Sequence, residues 1–312
     1  MFHPHLRRDT SKRGKSYWQQ SPGFEHVLSQ RIEEQVEMAT QRQAGVEGMV
    51  FRKTNAHVGR KICATLDNSP MQHLAYGRII LDASSPSVKF TTRERETGLI
   101  CLRGEAQANV DGTAIPLGRF DAVYVPRDSS VEVSTSSPVD IAEFSAEVAK
   151  RYPLQVVRYA DMSKDPGLKY TLGGPGCSRH LHLLLAKNIE AGRLIVGITR
   201  SEPGNWTSWP PHEHAELLEE IYVYFDMPGP AYGIQLVYRN TEDPELVTIV
   251  RDGDAVMLPG GYHPNVAVPG HPIAFLWAMA AHREGVDRQF GVVNVQPGFD
   301  QGGSGLKPVQ KK

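Results

Sequence analysis

The chain has 312 residues, enough for two modest domains or one large all-β domain with a substantial core. A formal net charge of -1, with 22% charged residues, gives no overall attraction to nucleic acid or an anionic membrane and leaves a small molecule as the expected partner. Cys63, Cys101 and Cys177 are widely separated and form no C-x-x-C pair, which argues against a disulfide framework or a cysteine zinc site and fits a reducing cytoplasm.

The leader MFHPHLRRDTSKRGKSYWQQ is basic but lacks the apolar run of a secretory signal, and no later stretch approaches the roughly 20 apolar residues of a membrane span. It reads as a solvated tail. From Phe24 to Gln43, Val27, Ile32, Val36 and Met38 recur at roughly helical intervals without Pro or Gly, which predicts one surface helix. Beyond it the chain consists of short β-prone runs such as LICLRGEAQANVDG, LIVGITRSEPG, IYVYFDMPGP and YGIQLVYRN, punctuated by Gly, Pro, Asn and Asp. That pattern predicts an all-β sandwich or barrel.

Two stretches look like copies of each other, GRFDAVYVPRDSSVEV from Gly118 and DGDAVMLPGGYHPNVAV from Asp252. Each has a turn, an Asp-Ala-Val start, an apolar strand and a Pro-led turn, which predicts a tandem duplication of one small barrel. The expected boundaries are a leader with its helix over 1–50, a first barrel over 51–148, a linker over 149–178, a second barrel over 179–300 and a tail over 301–312. Exposed sheet edges and the strand IYVYF, apolar on both faces, lead us to expect a homo-oligomer.

Histidine pairs at i, i+2 occur at His3/His5, His180/His182 and His212/His214, so the spacing alone carries little information. The first pair lies in the polar leader, and the second opens a strand where packing is the simpler role. The third stands in GNWTSWPPHEHAELLEEIY, where an extended, proline-braced segment puts both imidazoles on one side of the backbone. Glu219 and Glu220 follow on the next strand and must point to opposite faces. Glu220 is taken as the inward one, although spacing leaves Glu219 open. A strand ending at Pro259 and a Gly-Gly turn then present His263. Three neutral imidazoles and a carboxylate, His212, His214, His263 and Glu220, suit one divalent transition metal, with Zn ahead of Mn, Fe, Co and Ni. A carboxylate buried beside three histidines would be costly without a cation.

These motifs, H-x-H followed by Glu and then G-x5-P-x-G followed by His, resemble those of the cupin superfamily. The distance from Gly204 to His212 is longer, and that from Gly261 to His263 one residue shorter, than the usual pattern. GNWTSWPPHEH, LEEIY and LPGGYHP are similar to the 5-deoxyglucuronate isomerases of inositol catabolism, with the likeness running from about Arg93 to Met279. EIYVYFDMP and FLWAMAAHREG lie closer to the 5-keto-4-deoxyuronate isomerases of pectin breakdown, and the helical leader is atypical of the inositol enzymes. The resemblance implies two tandem cupin (double-stranded β-helix) barrels, the first metal-free, preceded by the helical extension. It also implies a metal-dependent aldose–ketose isomerase acting on a deoxy uronic acid, 5-deoxyglucuronate ahead of the pectin-derived alternative.

Such a reaction needs a Lewis acid at the carbonyl and hydroxyl oxygens and a base near the transferred proton. Glu220, Tyr222 and Tyr238 are candidates to move protons, with Gln235 nearby; strand alternation prevents Gln235 and Tyr238 from both facing inward without a bulge. Lys187, Arg200 and Arg283 lie near expected strand ends and are candidates, with Tyr222, for holding the substrate; Arg179 is a further possible carboxylate partner. A cupin dioxygenase with the same ligands is the competing enzyme class. A sugar sensor that binds DNA through the basic leader lacks any helix-turn-helix pattern.

Overall fold

The computed structural model describes residues 47–299 and the backbone of residues 307–308. The helix expected at 24–43, the His3/His5 pair and the greater part of the leader and tail lie outside the described residues. Those described are mainly strand and turn, with one short helix at Tyr159–Met162. No helix among them is long and apolar enough to cross a membrane.

The strands form two barrels in succession. In the first, a six-stranded sheet runs in the order Gln155–Val157, Ala122–Val125, Arg95–Arg103, Val139–Glu147, Leu74–Leu81, Gly59–Ala64. A four-stranded sheet of Ser87–Thr91, Ser130–Ser134, Ala106–Val110 and Thr113–Leu117 packs against it. The alternation read in the sequence closes this barrel: Ile79, Leu81, Leu99, Cys101 and Ile141 from one sheet meet Ala108, Val110, Val131 and Val133 from the other in a single buried cluster. Asp111 and Gly112, both at positive φ, supply the tight Asp-Gly turn of one hairpin.

The second barrel repeats the plan. Its large sheet runs Val50–Phe51, Ala255–Leu258, Leu218–Tyr224, Ala274–Ala281, Leu194–Ser201, Arg179–Leu185, Lys169–Leu172, with a smaller sheet of Trp206–Thr207, Asn265–Ala267, Gly233–Val237 and Leu246–Val250. The Asp-Ala-Val copies occupy equivalent places: Ile100 pairs with Ala122 and Thr97 with Val125 in the first barrel, as Val223 pairs with Ala255 and Glu220 with Leu258 in the second.

Two pairings differ from the sequence expectation. Val50–Phe51, expected at the junction of leader and first barrel, pairs with Val256 and Ala255 of the second. Gln155–Val157, expected in a linker, pairs with Ala122–Tyr124 of the first. Each half therefore donates the strand preceding it to the other half, an exchange that is invisible in local sequence because strand pairing is non-local. Lys169–Leu172, also from the expected linker, adds to the second large sheet by pairing with Arg179–His182.

The two large sheets are further joined by a reciprocal pair of glutamates. Buried Glu219 accepts the backbone N–H groups of Gln72, His73 and Leu74 at 2.7, 2.8 and 2.6 Å. Buried Glu96 accepts those of Gly192, Arg193 and Leu194 at 2.8, 2.7 and 2.8 Å, together with the Tyr124 hydroxyl. By strand register Glu96 is the counterpart of Glu219, since Ala146 opposes Glu96 as Ala280 opposes Glu219.

Candidate metal centre

The strand Leu218–Tyr224 settles the alternation of its two acids. Glu219 points to the first barrel, so Glu220 and Tyr222 face the interior of the second. His212 sits in a two-residue strand paired with Val295. His214 closes the turn into Leu218–Tyr224, its carbonyl taking the N–H groups of Leu217 and Leu218. His263 arrives from the turn after Ala255–Leu258, where Gly261 at φ +85° adopts a left-handed conformation that suits glycine.

Donor atoms of His214, Glu220 and His263 lie within 4.8 Å of one another, and all three residues are buried. His212 stands beside them, its ring centroid 5.2 Å from that of His263 and 6.4 Å from that of His214. Glu220 Oε2 is 3.1 Å from His214 Nε2 and 3.2 Å from His263 Nε2.

The tautomers follow from the opposite edges of the rings. Nδ1 of His212 bonds the Pro210 carbonyl at 2.8 Å, Nδ1 of His214 the Leu218 carbonyl at 2.9 Å and Nδ1 of His263 the Gly261 carbonyl at 2.8 Å. A carbonyl only accepts, so each Nδ1 carries the proton and, in the neutral ring, each Nε2 presents a lone pair. His214 and His263 thus direct lone pairs at a carboxylate that is itself only an acceptor. His263 Nε2 makes no hydrogen bond despite its proximity to Glu220. Such a cluster could hold a cation at its centre, and the imidazole–carbonyl pairs are those that commonly orient metal-bound histidines.

Without a metal, protons take over part of that role. Burial opposes ionisation of Glu220, but hydrogen bonding from His214 and the attraction of His214 and His263 prevail and hold its carboxyl down to about 2. Burial acts against the charged form of His214 as well, yet bonding to Glu220 raises its pKa. His212, further from the carboxylate, is lowered to about 3 by burial and by the neighbouring His263 and His214.

The centre opens on a cavity lined by His212, Glu220, Tyr222, Ser208, Arg179 and Trp277, among others. Tyr222 and Ser208 join their hydroxyls at 2.6 Å. Burial, then the charge of Glu220, pushes the Tyr222 phenol well above its ordinary range, so it remains protonated. Ser208 holds a left-handed backbone conformation, φ +51°, uncommon for a residue other than glycine. Nothing in TSWPP signalled Ser208; the cavity shape reveals it.

Several sequence candidates fall elsewhere. Gln235 is buried behind the centre, donating to the His263 carbonyl at 2.9 Å and accepting from Tyr224, so it braces the His263 turn without lining the cavity. Tyr238, out of phase with Gln235, bonds Gln296 at 2.7 Å and packs on Tyr262. Arg200 faces away from the cavity because its neighbour Thr199 faces into it; it lies with Arg103 and Arg119 near Asp226. Arg283 is held by Asp287 in the turn after Ala274–Ala281. Lys187 is exposed beside Gly167. In the second histidine pair, His180 bonds Thr171 and Glu202 while His182 bonds Tyr159.

Comparison with known proteins agrees with this architecture. The chain is 26% identical over 251 residues to a 5-deoxy-glucuronate isomerase of Geobacillus kaustophilus, covering 75% of this chain and 85% of that protein. It is 28% identical over 202 residues to a 4-deoxy-L-threo-5-hexosulose-uronate ketol-isomerase of Opitutus terrae, covering 62% and 70%. Among solved structures, an IolB-like protein from Salmonella typhimurium superposes with a TM-score of 0.70 at 21% identity, covering 80% of this chain and 96% of that one. A Bacillus subtilis oxalate decarboxylase superposes at 0.54 with 12% identity, covering 75% and 77%, a likeness of cupin fold alone. The sequence profile of the KduI/IolB family matches residues 50–293, and the chain belongs to that family.

Proposed function

We propose that this isomerase interconverts the aldose and ketose forms of a deoxy uronic acid, with 5-deoxyglucuronate as its substrate and a divalent transition metal, zinc first, held by His212, His214, Glu220 and His263. The observation that carries the reading is the convergence of acceptor atoms: buried Nε2 lone pairs face a buried carboxylate, a donor set suited to a divalent cation. A metal bound there would polarise a substrate carbonyl and its neighbouring hydroxyl, supporting proton removal from the adjacent carbon.

The remaining work belongs to side chains. Glu220 supplies negative charge to the ligand set and sits where it can exchange a proton with a substrate oxygen. The Tyr222–Ser208 hydroxyl pair offers a short relay for the oxygen-to-oxygen transfer that accompanies the carbon-to-carbon shift. Trp277, Met279 and Phe290 give the cavity an apolar wall that limits water around these groups. The pectin-derived substrate is the second reading, favoured by the relatives that carry that activity in their names.

The test is proton NMR in deuterium oxide with 5-deoxyglucuronate and, separately, 4-deoxy-5-hexosulose-uronate, using metal-analysed protein. The expected result is conversion of 5-deoxyglucuronate, loss of activity after chelation, and a fall on the order of hundredfold or more in His263→Ala together with loss of bound metal. Conversion of the hexosulose-uronate alone moves the enzyme to the second reading. Failure to convert either acid, with oxygen consumed on another compound, replaces the isomerase by a dioxygenase.

A further inference from the structure

We propose that Arg179 is the receptor for the substrate carboxylate, gripping the acid end of the sugar while its reacting end meets His212 and Glu220; the proposal rests on the sugar-acid isomerase reading above.

Arg179 begins the strand Arg179–Leu185 and lines the same cavity as the candidate metal ligands. It is only 4% exposed. Its guanidinium donates to two backbone carbonyls, Cys177 at 3.1 Å and Trp209 at 2.6 Å, and the remaining N–H groups have no acceptor among the described residues. No carboxylate among the described residues pairs with it; the groups that act on its charge are Cys177, Tyr222 and Tyr170, while burial disfavours the charged form.

That is an expensive arrangement for a residue with only a packing role. Burying an unpaired cation is costly, and carbonyl dipoles recover only part of that cost. Arginines elsewhere in the chain make the contrast. Arg78, the other arginine buried among the described residues, is held in a fork by Asp140 at 2.6 and 2.8 Å. Arg60, near the mouth of the first barrel, is forked by Glu143 at 2.7 Å on both arms. Among the described residues Arg179 has the burial without the acid, and it lines a cavity.

The surroundings prepare it for an anion. The two carbonyls fix the plane of the guanidinium, so little side-chain freedom is lost when a carboxylate binds. Gly173, at φ +83°, keeps clear the space beside it: a Cβ there would lie 2.9 Å from Arg179 Nη1. Leu172, Leu181 and Trp277 line the same cavity, and a poorly solvated wall strengthens a charge-assisted bond. Ser208, Tyr222 and Thr199, which line the same cavity, offer hydroxyls to a polyhydroxylated chain. A cation and a candidate Lewis-acid site lining one cavity suit a linear sugar acid with its carboxylate and carbonyl at opposite termini.

Arg179→Met and Arg179→Lys are compared with wild type on the free uronate and on its methyl ester, with metal content and melting temperature measured for each. The expected result is a loss on the order of hundredfold in kcat/KM on the acid for Arg179→Met, mostly through KM, an intermediate loss for Arg179→Lys, little change on the ester and unchanged metal content. Equal losses on acid and ester, or wild-type protein that handles the ester as well as the acid, overturn the proposal. If Arg179→Met fails to fold, the acid-to-ester ratio of wild type against Arg179→Lys decides in the same way. Should wild type convert no sugar acid, the isomerase reading has failed, and titration calorimetry with glucuronate then tests the receptor alone. Binding that weakens at least tenfold in either variant supports it; unchanged binding, or none to wild type, overturns it.

Discussion

Each imidazole of the centre has its protonation set by a carbonyl on the far side of the ring, and a different histidine shows how strongly surroundings can set a charge state in this fold. His182 bonds the Tyr159 hydroxyl at 3.1 Å, and burial, then the positive charges of Lys169 and His180, lower it to about 4. In the unfolded chain a histidine protonates near 6.5. Its contribution to stability is therefore full above pH 6.5 and is lost as pH falls towards 4, because unfolding then takes up a proton. We expect His182→Gln to remove up to about 1.4 kcal/mol per pH unit from the acid-side slope of unfolding free energy, measured by urea titrations between pH 4 and 6.5 at equal metal content. An unchanged slope would place the proton uptake elsewhere. The residue types of the centre were legible from sequence: the H-x-H pair, the alternation of Glu219 and Glu220, and the glycine turn before His263 are local signals. The absence of an acid at Arg179 among the described residues was not, because a missing partner becomes visible only when distant strands and loops surround the residue.

At the scale of single strands, the pairing of Leu194–Ser201 with Ala274–Ala281 depends on a side chain that is absent. Gly197 opposes Trp277, and a Cβ on Gly197 would lie 2.1 Å from Trp277 Cζ2. Trp277 also lines the cavity. Gly197→Ala should therefore lower stability by about 1–3 kcal/mol through overpacking and reduce activity by displacing the indole, measurable by denaturant unfolding and by kcat/KM on the same sample. A stability like that of wild type would mean that the indole has room to move. Strand runs and the repeated Asp-Ala-Val segment were readable because alternation and turn residues act locally. Arg200 and Arg283 were misplaced for a related reason: nearness to a strand end says nothing of direction, which the inward-facing Thr199 fixes for one and Asp287 for the other.

At the largest scale, the two described barrels are tied together by reciprocity. Glu219 caps three N–H groups at the start of Leu74–Leu81, Glu96 caps three at the start of Leu194–Ser201, and each half lends the other an edge strand. Glu219→Gln replaces charge-assisted bonds by weaker ones and leaves an amide N–H group to satisfy, so it should cost about 2–4 kcal/mol in urea unfolding, with a comparable loss for Glu96→Gln. A cost confined to one of the two would show that the halves do not share the load. The exchange lay beyond sequence reading because the residues around Val50–Phe51 and Gln155–Val157 look like ordinary flanking segments; only their distant partners make them edge strands.

The reciprocal tie also bears on how two sister barrels could drift apart. Where the second barrel has Glu220 the first has Thr97, and where His263 follows Leu258 by five positions Ser130 follows Val125 by the same interval. Selection on chemistry could be relaxed on one sister once the other carried the ligands. Deleting the first barrel would strand Glu219 without its N–H partners and strip Val50–Phe51 of the chain that leads out of it. The tie thus makes each half a structural requirement of the other, whichever of them carries the candidate ligands.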